Sequence, residues 1–115
     1  MTEPGFRRGD VLLCALPGDY AKPRPAVVVQ SDLFNETHAS IVVCPISSEI
    51  TGLTLFRVAI SASATTGLKK ESEVMVDKIT AARRTRLARR IGVLSASQMN
   101  LIFGNKYKVH CMMKR

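Results

Sequence analysis

The sequence is poor in the residue types from which disulfide frameworks and metal sites are built. It has three cysteines, at positions 14, 44 and 111, and two histidines, His38 and His110. An odd number of cysteines without a Cys-x-x-Cys spacing gives neither a disulfide framework nor a zinc site. The nine acidic residues are scattered and form no obvious cluster for a divalent metal. The sequence therefore predicts a protein without a metal ion or another cofactor.

Cysteine and histidine chemistry is also not expected. Cys14 and Cys44 lie within apolar runs, and we interpret both as buried small hydrophobic side chains. A thiol nucleophile would need a base beside it, and only the two histidines are available for that role. His38 lies in a polar loop, residues 31–40, and His110 lies close to the end of the chain, so both are expected at the surface.

Long apolar runs and several well-known catalytic motifs are missing as well. No run approaches the roughly 18 apolar residues that span a bilayer. The N-terminal segment has a basic pair but no apolar stretch after it, so we do not expect a signal peptide. The sequence contains no Gly-x-x-x-x-Gly-Lys-Ser/Thr, no His-Glu-x-x-His and no Gly-x-Ser-x-Gly motif. These absences argue against a membrane protein, a P-loop enzyme, a zinc protease and a serine hydrolase, and they predict a cytoplasmic protein.

What the chain does contain is an excess of positive charge. Seventeen Lys and Arg against nine Asp and Glu give a net charge of +8 over 115 residues. Such an excess predicts a polyanionic partner, with nucleic acid first, an acidic protein segment second and an anionic membrane third. The length fits one domain, and no linker, repeat or low-complexity tract divides residues 1–115.

Short β-branched apolar runs separated by turn residues predict a mainly β protein. The runs cover residues 11–16, 26–30, 41–46, 53–60 and 72–77. Their spacing predicts successive antiparallel strands that curl into a small barrel. Near the end of the chain, Ser95 and Gln98 have the spacing of a capping box, and the apolar residues after them recur at helical spacing. This pattern predicts a C-terminal helix over about residues 96–110.

The densest charge cluster lies between residues 83 and 90. Its members are Arg83, Arg84, Arg86, Arg89 and Arg90. Because the nearby acids are too few to pair with all five arginines, the cluster is either a solvated basic face or an edge that contacts phosphates. In the second interpretation, Lys69, Lys70 and Lys78 extend the edge. The cluster indicates a polyanion but does not distinguish binding from cleavage.

A second basic feature places Arg24 between two prolines, just before a predicted strand. Proline restricts the backbone on both sides, so the guanidinium is either pre-organised for a bidentate phosphate contact or simply exposed in a proline-rich turn. Ser47 and Ser48 follow another predicted strand. Paired hydroxyls at a strand end more often cap a turn than take part in chemistry. Since the histidines are expected at the surface, any cleavage would depend on arginine and hydroxyl groups.

Four stretches, in order and at matching spacing, resemble the MazF/PemK family of toxin endoribonucleases from Arg8 to about Phe103. They are residues 8–11, 24–30, 45–48 and 76–79, the last followed by an arginine-rich turn and a final helix. The resemblance implies a small SH3-like barrel of the MazF/CcdB type that spans residues 1–115. It also implies the toxin of a type II toxin–antitoxin system, a homodimer that binds single-stranded RNA along its groove, and a cognate antitoxin whose flexible acidic segment occupies that groove.

By position, the resemblance places Arg24 on the family's catalytic arginine and Ser47 on its catalytic threonine. Family members usually have threonine there, and Ser48 is the adjacent hydroxyl. The glycine-rich acidic loop that often precedes the arginine is replaced by residues 17–22, which bears on RNA preference rather than on reaction class. RNA contacts are then predicted at Lys22, Lys69, Lys70, Lys78, Arg83, Arg84 and Arg86.

The implied reaction is attack of a ribose 2′-hydroxyl on the adjacent phosphorus, without a metal ion. It gives a cyclic phosphate and a free 5′-hydroxyl and, on mRNA, inhibits translation and growth. A guanidinium is a poor general base near neutral pH, so the sequence does not identify the base.

Two other functions fit a small basic barrel. A CcdB-like toxin shares the barrel and inhibits DNA gyrase, but that family relies on a terminal segment with tryptophan, and this chain has no tryptophan. A non-catalytic RNA-binding barrel is the other alternative.

Overall fold

Seven strands form one antiparallel sheet in a computed structural model of the chain, which describes residues 5–16, 22–35, 39–53 and 55–104. The strands are β1 (Asp10–Cys14), β2 (Arg24–Val28), β3 (Ser40–Ser47), β4 (Arg57–Ile60), β5 (Ser72–Met75), β6 (Thr80–Arg83) and β7 (Leu87–Val93). The described helices are α1 (Asp32–Asn35) and α2 (Ala96–Gly104), and two 3-10 turns cover Val76–Lys78 and Arg84–Arg86.

Strand β3 organises the sheet because it holds two strands end to end along one edge. Residues 40–43 pair with β6, and Ile46 and Ser47 pair with β5, which in turn pairs with β4. Along its other edge β3 pairs with β2, followed by β1 and then β7. The sheet therefore divides beyond β3 into a β6 branch and a β5–β4 branch.

The predicted antiparallel β architecture with a C-terminal helix is confirmed, but the sheet is not closed into the predicted barrel. The chain passes from β6 to β7 through the 3-10 turn Arg84–Arg86. This turn directs β7 to β1 instead of folding it back onto β6 as a hairpin. Within the described residues no hydrogen-bonded ladder joins β6 and β7. These two strands are connected through the covalent chain and do not close the sheet.

Both faces of the central strands are buried, each against its own apolar core. Successive residues of a strand point to opposite faces. Val11 and Val27 contribute to one core, which α2 covers with Ile102. Leu12 and Val28 contribute to a second core on the other face. Strands that are buried on both sides have nearly continuous apolar sequences, which explains why β1, β2 and β3 are predictable from their runs.

Cys14 and Cys44 belong to these cores and are free thiols with no exposed surface. Burial raises the pKa of each thiol to about 12. Neither thiol is ionised near neutral pH, so the interpretation of both as small buried hydrophobic side chains is confirmed. His38, His110 and Cys111 lie outside the described residues.

Helix α2 begins with the predicted capping box. The Ser95 N–H donates to Gln98 Oε1 at 2.7 Å, and the Gln98 N–H donates to Ser95 Oγ at 3.1 Å. The described helix ends at Gly104, and its predicted continuation to residue 110 lies outside the described residues. Neither helix in the described part of the chain has the length and apolar character that crossing a membrane requires.

The interpretation of the arginine-rich stretch as a turn is wrong for most of its length. Only residues 84–86 form a turn, and Leu87–Val93 form β7. Register shifts against β1 leave Ala88 and Ile91 without an opposite residue. Such irregularities break the two-residue alternation from which a strand is recognised. Helix α1 also lies in the stretch 31–40 that the sequence predicts as a loop.

Candidate active site

A cleft of about 1070 Å³ lies where β2 begins and β3 ends. Part of its lining is one row of residues across four strands. The ladders pair Pro25 with Leu13 and Leu13 with Arg89, and the β2–β3 register, extended by one residue, places Ile46 beside Pro25. All four residues line the cleft. This part of the lining is therefore built on paired strands, which hold side chains more rigidly than loops do.

Arg24 and Ser47 both line the cleft, from the ends of two paired strands. Arg24 is the first residue of β2, and Ser47 is the last residue of β3. Ala26 pairs with Pro45 in this antiparallel ladder, so the register extended by two residues places Arg24 opposite Ser47. Opposite residues of a ladder project from the same face, and both line the cleft. The structure brings together the two residues predicted as catalytic.

The hydroxyl of Ser47 has a defined environment. Its Oγ accepts a hydrogen bond from the Glu49 N–H at 3.0 Å. A serine hydroxyl can accept and donate at the same time. Because the Glu49 amide uses an acceptor position, the Ser47 proton is available to a ligand in the cleft. Ser48 also lines the cleft, but it follows the end of the strand.

The loop after Ser47 is held by Glu73, a buried residue of β5. The Glu73 carboxylate accepts hydrogen bonds from the Gly52 N–H at 2.9 Å, the Thr51 N–H at 3.1 Å and the Thr51 hydroxyl at 2.9 Å. The bond from the Gly52 N–H, more than those from Thr51, holds the pKa of Glu73 below its usual value although burial acts in the other direction. The loop is thus fixed at both ends.

Arg57 completes this network from β4. Its Nη1 lies 3.7 Å from Glu73 Oε1, and its Nε donates to Asp77 Oδ1 at 2.9 Å. The guanidinium and the two carboxylates are mostly shielded from solvent. The sequence prediction missed this network, although an acidic residue inside the apolar run of β5 is a signal that could have found Glu73.

Lys69 and Lys70 lie at the cleft because the loop of residues 61–71 packs closely on β7. Gly67 has a φ of +76°, and a Cβ added there would lie 2.1 Å from the Ile91 carbonyl oxygen. A Cβ on Gly92 would lie 2.2 Å from the backbone of the facing loop. Neither position has room for a side chain, so glycine at both allows the close approach.

The charge of the cleft is strongly positive. Within the described part of the chain, its lining includes five basic side chains and one acidic side chain. They are Arg24, Lys69, Lys70, Arg89, Arg90 and Glu49. Arg90 also forms an ion pair with Asp10 at 3.4 Å, but its side chain is 60% exposed and free to turn toward a ligand. Among the described residues no group of three or more His, Cys, Asp or Glu side chains could hold a metal ion.

The structure divides the predicted RNA-contacting residues into two groups. Lys69 and Lys70 line the cleft, together with Arg89 and Arg90 from the arginine cluster. The others lie outside the lining. These are Lys22, Lys78, Arg83, Arg84 and Arg86. Arg84 is half-buried, and its guanidinium donates to the carbonyl oxygen at the C-terminal residue of α1.

Sequence comparison decides the family. A family model described as "PemK-like, MazF-like toxin of type II toxin-antitoxin system" matches residues 7–104. The chain is 39% identical over 95 residues to the "Probable endoribonuclease MazF" of Mycolicibacterium smegmatis, with 82% of this chain and 86% of that protein covered. The chain belongs to the PemK/MazF toxin family. A second relative, "Endoribonuclease MazF9" of Mycobacterium tuberculosis, is 37% identical over 103 residues, again with 82% and 86% covered.

Solved structures of this family have the same fold. The Mycobacterium tuberculosis toxin MazF-mt6 superposes with a TM-score of 0.72 at 25% identity and covers 84% of this chain and 90% of its own. A structure named as an endoribonuclease in complex with its cognate antitoxin, from a Mycobacterial species, has a TM-score of 0.75 at 21% identity and covers 94% and 96%. The relatives confirm the toxin family and the endoribonuclease class predicted from the sequence, and the CcdB-like alternative is set aside.

Proposed function

We propose that this PemK/MazF family member cleaves single-stranded RNA in the cleft between Arg24 and Ser47, without a metal ion. The observation that carries the proposal is that a guanidinium and a hydroxyl line the same cationic cleft, from strand positions that are opposite in the extended β2–β3 register. As the toxin of a type II pair, the protein would act in the cytoplasm on mRNA and so inhibit translation and growth.

The scissile phosphate binds between the two side chains. The 2′-oxygen attacks phosphorus, the bond from phosphorus to the 5′-oxygen breaks, and negative charge builds on the non-bridging oxygens. Arg24 stabilises that charge with two parallel N–H bonds, and Ser47 donates its available proton to the same oxygens. Loss of one such donor costs about 2.7–4 kcal/mol in transition-state stabilisation in other enzymes.

The remaining cations set the path of the RNA. Lys69, Lys70, Arg89 and Arg90 contact phosphates on either side of the scissile bond within the cleft. The predicted contacts outside the lining meet RNA only where a longer strand continues beyond the cleft. These are Lys22, Lys78, Arg83, Arg84 and Arg86.

The same cleft suits an antitoxin. A flexible acidic segment of a cognate antitoxin competes with RNA there, because both carry negative charge into a positively charged groove. In support, a structure of the same fold is named as a complex with its cognate antitoxin, and another, from Deinococcus radiodurans, is named MazE-MazF. We include in the proposal the homodimer that the family resemblance implies.

Metal independence is the experiment that tests the reaction class. Cleavage by the purified protein should persist in excess EDTA and should leave 5′-hydroxyl ends that a polynucleotide kinase labels directly. Loss of cleavage on chelation with recovery in magnesium would contradict the mechanism. Binding of RNA without any cleavage would instead indicate the non-catalytic RNA-binding alternative.

A further inference from the structure

The reaction proposed above leaves one proton without an acceptor. The ribose 2′-hydroxyl must lose its proton as its oxygen attacks phosphorus. The ordinary pKa of a guanidinium lies far above neutral, so fewer than about one in 10⁵ is neutral at pH 7. A free lysine side chain is likewise protonated at that pH. Arginine and lysine are therefore donors in this cleft and not bases.

We propose that Glu49 is the general base of this site, an inference that rests on the proposed function. Among the residues that the structure describes, Glu49 supplies the one carboxylate that lines the cleft. It comes two residues after Ser47, and its own N–H lies 3.0 Å from Ser47 Oγ. Its side chain therefore starts next to the hydroxyl that contacts the phosphate.

The backbone that carries Glu49 is fixed on both sides. On one side its amide is bonded to Ser47 Oγ. On the other side Thr51 and Gly52 donate to the buried carboxylate of Glu73. A general base must lie within about 2.6–3.2 Å of the proton that it removes. A fixed backbone with an exposed side chain allows that approach without movement of the loop.

The charges around Glu49 come from each element that borders the cleft. Positive side chains line the same cleft from β2, from the loop of residues 61–71 and from β7. They are Arg24, Lys69, Lys70, Arg89 and Arg90. Behind its loop lie the acids Glu73 and Asp77, with Arg57 between them. The cations in the cleft offset the repulsion between this carboxylate and the RNA phosphates.

The proton transfers of this step involve only the RNA, Glu49 and Arg24, and no other reactant is needed. The 2′ O–H proton moves to the Glu49 carboxylate as the bond from the 2′-oxygen to phosphorus forms. The bond to the 5′-oxygen breaks, and that oxygen takes a proton from the Arg24 guanidinium. The products are a 2′,3′-cyclic phosphate, a 5′-hydroxyl, a protonated Glu49 and a neutral Arg24. Exchange of protons with water restores both side chains.

The test is single-turnover cleavage of saturating RNA as a function of pH. Glu49→Gln should slow cleavage by at least about 100-fold, within the range of 10²–10⁴ for general bases, and should flatten the acidic limb of the pH profile. RNA affinity should not fall, because the substitution removes a negative charge. Glu71→Gln is the matched control: Glu71 is exposed and outside the cleft lining, so the same change in charge should leave rate and profile unchanged.

Two further variants keep the outcomes separate. Glu49→Asp, which keeps a carboxylate on a shorter side chain, should restore the acidic limb at a reduced rate. A folded Glu49→Gln protein that cleaves within about 3-fold of wild type, or that keeps the acidic limb, would overturn the assignment. If wild type and Glu49→Gln both cleave while Arg24→Ala does not, the assignment of Glu49 fails and the proposed function stands. If wild type does not cleave, the proposed function itself fails.

Discussion

The position of Arg24 is set by the pairing of its strand, while its side chain is not packed in the core. It stands between Pro23 and Pro25, its strand pairs it with Cys14, and its side chain is exposed. The prolines limit the backbone conformations of this segment even in the unfolded chain. A residue of this kind can be replaced without changing the core, so catalysis and folding are separable here.

Arg24→Ala should therefore change the free energy of unfolding by less than about 0.5 kcal/mol. Its single-turnover cleavage should nevertheless be slower by at least about 100-fold, because a transition-state donor is lost. Arg24→Lys should recover little, since an ammonium keeps the charge but lacks the planar pair of donors. Thermal melts run beside the cleavage assay separate the two effects.

The two adjacent serines provide the control for this prediction. Ser47 lies opposite Arg24 in the extended register and accepts the Glu49 amide, whereas Ser48 follows the strand end. Ser47→Ala should lower the rate sharply, and Ser48→Ala should leave it near wild type. A folded Arg24→Ala protein with wild-type turnover, or an equal effect of the two serine variants, would contradict the assigned roles.

At the scale of elements, the loop of residues 49–53 depends on one carboxylate of another strand. Glu73→Gln should loosen the loop, because a neutral amide with one oxygen cannot replace the charged acceptor of three hydrogen bonds. We expect the melting temperature at pH 7 to fall by at least about 4 °C. Cleavage should slow as well, since the loop carries Glu49.

The pH dependence of this stabilisation follows from the direction in which folding shifts the pKa of Glu73. The folded state lowers the pKa of Glu73, so its contribution to stability is present above the ordinary glutamate pKa of about 4.3 and is lost as pH falls toward the lower folded value. The difference in melting temperature between wild type and Glu73→Gln should shrink over that acidic range. A difference that is constant between pH 7 and pH 3, or a variant as stable as wild type, would show that the carboxylate does not hold the loop.

Patterns of neighbouring residues predicted the elements that are determined by residues close together in the chain. Continuous apolar runs mark β1, β2 and β3 because both of their faces are buried, and the capping box of Ser95 and Gln98 marks the start of α2. Strand β4 begins at Arg57, later than the predicted residue 53. The bulged β7 and the four-residue α1 have no clear period, so they were missed.

The candidate site was predicted only as far as family resemblance extends. Arg24 and Ser47 come from matching stretches, and the β2–β3 register then explains why they meet. The anchoring of the loop depends on residues 22 positions apart in the chain, Thr51 and Glu73, which no local pattern connects. Glu49 becomes a candidate only when the lining of the cleft is known.

At the scale of the whole molecule, the net charge of +8 is not spread evenly. The arginine cluster is divided by the 3-10 turn and by the irregular pairing of β7. Arg89 and Arg90 line the cleft, whereas Arg83 and Arg86 lie outside its lining. We expect both pairs to attract RNA from a distance, and only the pair in the cleft to displace counterions from a short bound strand.

The salt dependence of RNA binding tests this division. Each phosphate neutralised on a single strand contributes about −0.7 to the slope of log K against log salt, so Arg89→Ala with Arg90→Ala should flatten the slope by about 1.4. Arg83→Ala with Arg86→Ala removes the same charge and should leave the slope for a short strand unchanged. The ligand is a short oligonucleotide with 2′-deoxyribose at the scissile position, which cannot undergo the attack. Equal flattening by both pairs, or none by the first, would place the bound RNA outside the cleft.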